Sequence, residues 1–323
     1  MNIAINGFGR IGRLLARILI HNNQPLKVIN GVGSSFKALH FLSYDSNHGT
    51  FANEFICKEN HIIDDNNNIN IINERNSIPN WQELGVSVLI DCTGLIKTKK
   101  DCQAHFNQGI KKIILSYASK AAQKTIVMGV NEHELSAKDK VISASSCTTN
   151  CLAQIMNVLQ ANYKIQSGFF STIHALTNDQ VLLDKNHSDL RRSRSAIESI
   201  IPTSTGAGEQ IGKIFPQLEN KLFGKAYRVN TKNVSLVELT CNLDKNVTEN
   251  EVNELFEQAK NKYLDISYAP LVSIDYNHSK QSCIVDGLLT KTNNNMLQIS
   301  AWYDNEWAYA LRLMDIYKKI NAV

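Results

Sequence analysis

Ile3-Ala4-Ile5-Asn6-Gly7-Phe8-Gly9-Arg10-Ile11-Gly12 opens the chain with an apolar strand, a glycine turn and the start of a helix. Ile11, Leu14, Leu15 and Ile18 then recur at helical spacing, so a helix is expected over 11–21. A lone G-x-G-x-x-G is weak evidence, because turns are rich in glycine. Here a strand precedes it, a helix follows, and a second apolar strand comes next at 26–30. Glycine lets such a turn close tightly and lets a pyrophosphate approach the positive end of the helix. Gly7, Phe8, Gly9, Arg10, Ile11 and Gly12 are therefore candidate dinucleotide contacts.

Strand and helix patterns keep alternating through the first half. Strands are expected at 2–6, 26–30, 86–92, 112–117, 125–130 and 141–144, and helices at 11–21, 35–42 and 98–108. That alternation builds a Rossmann-type, doubly wound parallel sheet, an α/β fold. Beyond about residue 165, strands follow one another at 168–175, 226–229, 234–243, 271–274, 283–289 and 296–303. Two helices interrupt them, one over 205–215 and one opened by a capping box of Thr248 with Glu251. This second half reads as an α+β catalytic domain with a mostly antiparallel sheet. The terminal helix carries Trp307, Leu311, Met314 and Tyr317 on one stripe that requires a covering surface. The expected division is a dinucleotide-binding domain over 1–146, completed by the helix at about 305–323, and a catalytic domain over 147–304. The Asn-rich stretches 64–70 and 293–295 read as hairpin tips.

Composition narrows the class. A chain of 323 residues has room for two domains at roughly 150 residues each. Its 43% hydrophobic and 20% charged content describes a soluble globular protein. The net charge of +4 is small and dispersed, which gives no argument for nucleic acid. No apolar run nears the ~18 residues of a membrane span, and Met1 leads straight into a strand without space for a signal peptide. Seven scattered cysteines, with no C-x-x-C and no zinc spacing, fit reduced thiols in a cytoplasmic protein that holds no metal.

One of these thiols stands out. In Ser145-Ser146-Cys147-Thr148-Thr149-Asn150-Cys151, Cys147 follows a strand and precedes Leu152, Ile155, Met156 and Leu159 at helical spacing. Unpaired N–H groups at a helix start favour thiolate, the nucleophilic form. Cys151 is expected to face the core a turn later. The dinucleotide fingerprint also calls for an acid roughly 20 residues on, to hold the adenine ribose. Gly31 stands there instead, followed by Ser34, Ser35 and Lys37. A carboxylate would repel a 2′-phosphate and this segment would tolerate one; alternatively Gly31 only suits the turn and NAD binds without the contact.

Together Asn6–Arg13, Tyr44-Asp45-Ser46, Ser145–Cys151, Ile201-Pro202-Thr203-Ser204-Thr205-Gly206-Ala207 and Trp302-Tyr303-Asp304-Asn305-Glu306-Trp307 are very specific. Through them the chain resembles the phosphorylating glyceraldehyde-3-phosphate dehydrogenases over essentially its whole length. The resemblance implies a homotetramer that oxidises glyceraldehyde 3-phosphate with NAD or NADP, in glycolysis or gluconeogenesis. Inorganic phosphate would then release 1,3-bisphosphoglycerate from a thioester. Carried over, Cys147 is the nucleophile, and His174, which read alone is equally a satisfied strand histidine, becomes the base that also stabilises the thiolate. Thr177, Arg192 and Arg228 would hold the substrate's phosphate, and Ser146, Thr148, Thr205 and Gly206 the attacking one. Asn305 matches the residue that orients the nicotinamide carboxamide, and Thr93 and Ser116 fall at cofactor positions.

Departures from the pattern cluster. Besides Gly31, Lys185-Asn186 replaces the Leu-Pro of NAD-specific members, in a loop that approaches a neighbouring subunit's adenine ribose. Both changes open the same place, with Ser34, Ser35, Arg75 and Lys185 as candidate donors to a 2′-phosphate, so NADP acceptance is expected. Ser116-Tyr117-Ala118 replaces Ser-Ala-Pro, and Arg228-Val229-Asn230-Thr231 lacks a proline; these are expected to alter loops only. Erythrose-4-phosphate dehydrogenase is the alternative activity, although Thr177 and Thr203–Ala207 fit the glyceraldehyde enzymes better. A catalytically silent RNA-binding role finds no aromatic-plus-basic motif.

Overall fold

The computed structural model describes all residues except Val32, Asn53 and Val323. Val32 belongs to the segment after the second strand and Val323 to the expected terminal helix, so those two positions lie outside the described residues. Contacts divide the chain into two compact units, Met1–Ser146 with Tyr309–Val323, and Cys147–Ala308.

The first unit carries β1 (Ile3–Asn6), β2 (Leu26–Asn30), a short pair β3 (Tyr44–Asp45) and β4 (Gly49–Thr50), β5 (Ile56–Lys58), β6 (His61–Ile63) and β7 (Asn68–Ile72). It continues with β8 (Val88–Asp91), β9 (Lys112–Leu115), β10 (Lys124–Thr125) and β11 (Val141–Ser143). Nine of these form one sheet in the order β10-β11-β9-β8-β1-β2-β7-β6-β5. It is parallel from β10 to β7. Helices α1 (Arg10–His21), α2 (Ser35–Ser43) and α3 (Lys99–Phe106) complete the connections. Helix α1 buries Leu14, Leu15, Ile18 and Leu19 completely or nearly so. Because the chain leaves β1 for β2 on one side and later returns to β8 on the other, a crevice opens at the strands' carboxyl ends.

The doubly wound parallel sheet is extended by an antiparallel hairpin edge, β5 and β6, from runs too short to stand out in sequence. One expectation needs correction: the strand expected over 125–130 is only Lys124–Thr125. Past it, Asn131 accepts the Val127 N–H at 2.8 Å and donates to the Thr125 carbonyl at 3.0 Å, closing a loop where a ladder would have run.

The second unit begins with α4 (Cys147–Asn162) and continues with β12 (Ile165–Ala175), β13 (Ile201–Ser204), α5 (Ala207–Ile214), β14 (Leu222–Val229) and β15 (Ser235–Leu243). Then come α6 (Glu249–Gln258), β16 (Leu264–Ser267), β17 (Cys283–Asp286), β18 (Lys291–Asn293), β19 (Met296–Tyr303) and α7 (Trp307–Ala322), whose later turns belong to the first unit. The sheet runs β13-β14-β12-β15-β19-β17-β16, antiparallel except for β12 with β14 and β16 with β17. Helix α6 starts on the Thr248–Glu251 capping box. No strand forms over 271–274; the Asp275 carboxylate takes the Val272 N–H at 2.9 Å and the segment coils into a 3₁₀ turn, Ser273–Tyr276. The α7 stripe is broader than the periodicity implied: Leu313, Ile316 and Ile320 are buried with Met314 and Tyr317, whereas Trp307 and Leu311 are half-buried. No helix of the described residues is long and apolar enough to cross a membrane.

An ion pair anchors the first turn of α1. Arg10 Nη1 and Nη2 lie 2.5 and 3.1 Å from the Asp45 carboxylate, which also accepts the N–H groups of Asn47 and His48. Burial by itself raises the Asp45 carboxyl, but Arg10 and the two N–H groups outweigh it and hold the group at about 2, below its ordinary 3.8. A depressed carboxyl stabilises the fold above its unfolded value and loses that contribution as pH falls through the folded one. Asp45→Asn is therefore expected to cost about 1–2 kcal/mol at pH 7. Denaturant midpoints of variant and parent should converge as pH drops from 4 toward 2; a gap that does not narrow would show the pair to be without effect.

Candidate active site

The carboxyl ends of β2, β1, β8 and β9 bring Gly31, Gly7, Thr93 and Ser116 to one edge of the first unit's sheet. A cleft of about 590 Å³ opens there, lined among others by Gly7, Gly31, Glu74, Arg75, Thr93 and Ile96. Helix α1 has Gly9 at its N-cap with no side-chain cap, and a Cβ on Gly9 would meet nothing within 4 Å. A Cβ on Gly12 would instead lie 2.1 Å from the Gly7 carbonyl oxygen, so only glycine lets the helix sit this close to the turn. Open N–H groups above and a tight turn below fit a dinucleotide's pyrophosphate. Of the other expected contacts, Phe8 is buried, Arg10 is turned to Asp45, Ser34 caps α2 by accepting the Lys37 N–H, and Ser116 bonds the Cys92 thiol.

Below the cleft runs a polar belt that the sequence did not reveal. Tyr117 donates to Asp91 at 2.6 Å, Asn6 donates to Asp91 at 2.7 Å, Asn30 donates to Asn6 at 2.8 Å, and Asn30 accepts the Glu74 N–H at 2.9 Å. Tyr117 also accepts the Ile96 N–H at 3.0 Å. The tyrosine expected only to alter a loop thus fastens the residues that line the cleft. Gly31 has φ +97°, a backbone state that strains any side chain, and its carbonyl accepts from Arg75 Nη2 at 2.9 Å. The missing acid is therefore tied to a turn, and a nearby carboxylate, Glu74, lines the same cleft.

In the second unit, Cys147 is the first residue of α4 and keeps part of its surface accessible. Just before it, Ser145 takes φ +59°, a strained state for a residue other than glycine, with its N–H held by Ser143 Oγ at 2.9 Å. Cys147 Sγ lies 3.5 Å from Nε2 of His174, near the end of β12. His174 Nδ1 lies 2.7 Å from the Ala175 carbonyl oxygen and 2.6 Å from Arg228 Nη1. Burial, with Arg228 adding to it, pushes the imidazole down to about 3. Burial also pushes the Cys147 thiol up, against the pull of Arg228 and of the first N–H groups of the helix. Burial thus opposes the expected pull of the helix start and of Arg228 on the thiol.

The expected anion-holding groups are engaged internally. Arg192 Nη1 lies 2.5 Å from Asp179 and its Nε 3.3 Å from Asp189. Thr177 gives its N–H and hydroxyl to Gln180, and Thr205 accepts the Ala207 N–H at 3.3 Å beside the uncapped Gly206 at the start of α5. Thr148 shares a hydrogen bond of 2.9 Å with the hydroxyl of Tyr303, which also meets Thr172 at 2.8 Å. Ser235, which the sequence did not single out, accepts the Ala175 N–H at 3.1 Å and donates to Asn305 Oδ1 at 2.8 Å.

Residues 146–305 match the family model described as glyceraldehyde 3-phosphate dehydrogenase, C-terminal domain, and residues 1–99 its NAD binding domain. The chain belongs to the glyceraldehyde 3-phosphate dehydrogenase family. It is 41% identical to glyceraldehyde-3-phosphate dehydrogenase 2 of Bacillus subtilis, over 100% of this chain and 97% of that one. With the protein of the same name from Staphylococcus epidermidis it shares 42% identity, over 99% and 95% of the two chains. The Staphylococcus aureus protein of that name is 41% identical over 100% and 96%. The first unit thus contains an NAD-binding domain of the glyceraldehyde 3-phosphate dehydrogenase family, and the thiol and imidazole lie in the second unit, among the residues matched to the C-terminal domain.

Iodoacetamide should label Cys147 in the native protein well before Cys151, Cys241 and Cys283, which are buried. Exposed Cys57, which heads no helix, is the internal comparison. Peptide mapping after brief labelling decides; equal labelling of Cys147 and Cys241 would remove the nucleophile assignment.

Proposed function

We propose that this chain oxidises glyceraldehyde 3-phosphate to 1,3-bisphosphoglycerate through a thioester on Cys147, with the dinucleotide held by the first unit and the chemistry by the second. The observation that carries the reading is the contact of 3.5 Å between Cys147 Sγ and His174 Nε2. His174 takes the thiol proton as Sγ bonds the aldehyde carbon, then returns it to the new oxyanion, giving a hemithioacetal. It takes that hydroxyl proton again as the carbon–oxygen double bond re-forms. The bound nicotinamide supplies the hydride acceptor for this oxidation. A phosphate oxygen then bonds the acyl carbon and the C–S bond breaks. The sulfur leaves with the electron pair and takes up the proton given off by the phosphate, and the proton on His174 passes to solvent.

Asn305, set by Ser235, supports orientation of the carboxamide. Arg192, Arg228 and Thr177 support the substrate's phosphate, with Ser146, Thr148, Thr205 and Gly206 for the attacking one. A homotetramer follows from the same reading, and seven free thiols support a reducing compartment such as the cytoplasm. His174→Asn should slow single-turnover hydride transfer by roughly 10²–10⁴-fold with the fold intact. An unchanged rate would place the base elsewhere.

NADP is proposed as an accepted cofactor beside NAD. Gly31 stands where the dinucleotide fingerprint calls for an acid, and Arg75 reaches the Gly31 carbonyl. Glu74 in the same cleft opposes a second phosphate, which argues for acceptance and against strict dependence. Restoring the acid at Gly31 would strain the backbone, so the cleaner probe is Arg75→Ala. It should lower kcat/KM for NADP about tenfold, a charge-assisted contact of roughly 1.4 kcal/mol, and leave NAD nearly unchanged. No measurable rate with NADP in the parent enzyme would end this reading.

A further inference from the structure

Tyr117 lies just past the end of β9, behind the residues that line the first unit's cleft. Its hydroxyl donates to Asp91 Oδ2 at 2.6 Å and accepts the Ile96 N–H at 3.0 Å. Burial, followed by the charge of Asp91, raises this hydroxyl above its ordinary value, so it stays protonated and keeps donating. At Asp91 the two sides of the cleft meet. On one side Asn6, its register partner across β1 and β8, donates to Oδ1 at 2.7 Å. Asn6 in turn holds Asn30, and Asn30 holds the Glu74 N–H. On the other side Thr93 Oγ1 donates to Oδ2 at 2.8 Å and accepts the Leu95 N–H at 3.1 Å. Asn6, Asn30 and Glu74 line the cleft after β1, β2 and β7, and Thr93, Leu95 and Ile96 line it after β8.

The second side carries the glycine turn. A Cβ on Gly7 would lie 2.9 Å from both the Cys92 carbonyl carbon and Thr93 Cγ2, so the turn rests directly on this segment. A shift of Thr93 therefore reaches the backbone expected to face a pyrophosphate. Four polar holds fix the segment: Thr93 on Asp91, the Leu95 N–H on Thr93, the Ile96 N–H on Tyr117, and the Ile96 carbonyl on Ser119 Oγ at 2.8 Å. The Tyr117 ring packs against the core that contains Ile96, Cys102 and Leu115, with Lys97 Nζ 5.1 Å from its centre. Removing the hydroxyl alone keeps that packing. It takes away one donor to Asp91 and the acceptor of the Ile96 N–H.

We propose that Tyr117 is a positioning residue for the cofactor: through Asp91 and Ile96 it presets the spacing of the cleft's two sides, and so the affinity for the dinucleotide. A backbone N–H that loses its acceptor away from water costs free energy until the chain moves to find another. In Tyr117→Phe the segment pivots about its Ser119 hold, and part of the cofactor's binding free energy goes into restoring the wall. The thiol chemistry of the second unit does not involve this segment, so the rate at saturating cofactor stays. The inference rests on the proposed place of the dinucleotide in this cleft, and its test separates it from the proposed reaction.

Titration calorimetry with NAD and with ADP-ribose, which carries the adenosine and pyrophosphate without the nicotinamide, reads affinity independently of activity. Tyr117→Phe should raise both Kd values about tenfold, raise KM for NAD to match, and leave kcat within about twofold of the parent. The comparison variant is Asn131→Ala, which loses two backbone contacts in the loop after β10 of the same unit. It should lower the thermal midpoint and leave both Kd values unchanged. Unchanged Kd values in Tyr117→Phe, or an equal rise in Asn131→Ala, overturn the positioning role. Ser119→Ala, which frees the Ile96 carbonyl, is the second variant should Tyr117→Phe not fold. It too should raise both Kd values, and no rise overturns the dependence of affinity on this segment. A parent enzyme that shows these responses yet leaves glyceraldehyde 3-phosphate unoxidised overturns the proposed reaction and keeps the positioning role.

Discussion

Asp91 is fully buried at the carboxyl end of β8, and its need for hydrogen bonds organises the first unit's binding edge. A buried carboxylate costs several kcal/mol unless its oxygens are served. Asn6, Thr93 and Tyr117 serve it, and each sits at the end of or just beyond a strand. Asn6 in turn accepts from Asn30, and Asn30 binds both N–H and carbonyl of Glu74. The ends of β9, β8, β1, β2 and β7 are thereby tied by side chains where the ladder stops. Because side chains meet these needs, the glycine turn and the N–H groups opening α1 are left for a ligand.

The second unit meets the same problem differently. Its sheet sets one parallel pair, β12 and β14, among antiparallel ones, and that register alone puts an arginine opposite the candidate base. Arginine is never neutral in a protein, so without an anion it must find acceptors inside. Arg192 finds Asp179 and Asp189, and Arg228 finds His174 and Ala175. The cations expected to meet phosphate are therefore held by acceptors distant in the chain, which no reading of residue types would show.

Backbone strain lies beside these groups. Ser145 at φ +59° precedes the thiol, and Val234 at φ +66°, costly for a β-branched residue, precedes Ser235. The first turn delivers Cys147 to the start of α4, and the second lets one hydroxyl join Ala175 to Asn305. Neither position carries a sequence signal, since serine and valine are ordinary strand-end residues. Tyr303 stood in a recognised motif, but its place between Thr148 and Thr172 depends on β15 setting β19 one strand away from β12 and on β19 packing against α4.

Periodicity and glycine spacing are local, and so the sequence by itself determined β1, α1, β2, the capped start of α6, the thiol at the head of α4 and the two-part α/β architecture. Motif identity determined the family. What only tertiary structure decided depends on partners distant in the chain: the antiparallel β5–β6 edge, the loop closed by Asn131, the coil at Ser273–Tyr276, the Asp91 belt, and the meeting of Ala175 and Arg228 at one nitrogen of His174. Each turns on hydrogen bonds of short range, whose free energies exceed local propensity only once folding has removed water from the alternatives.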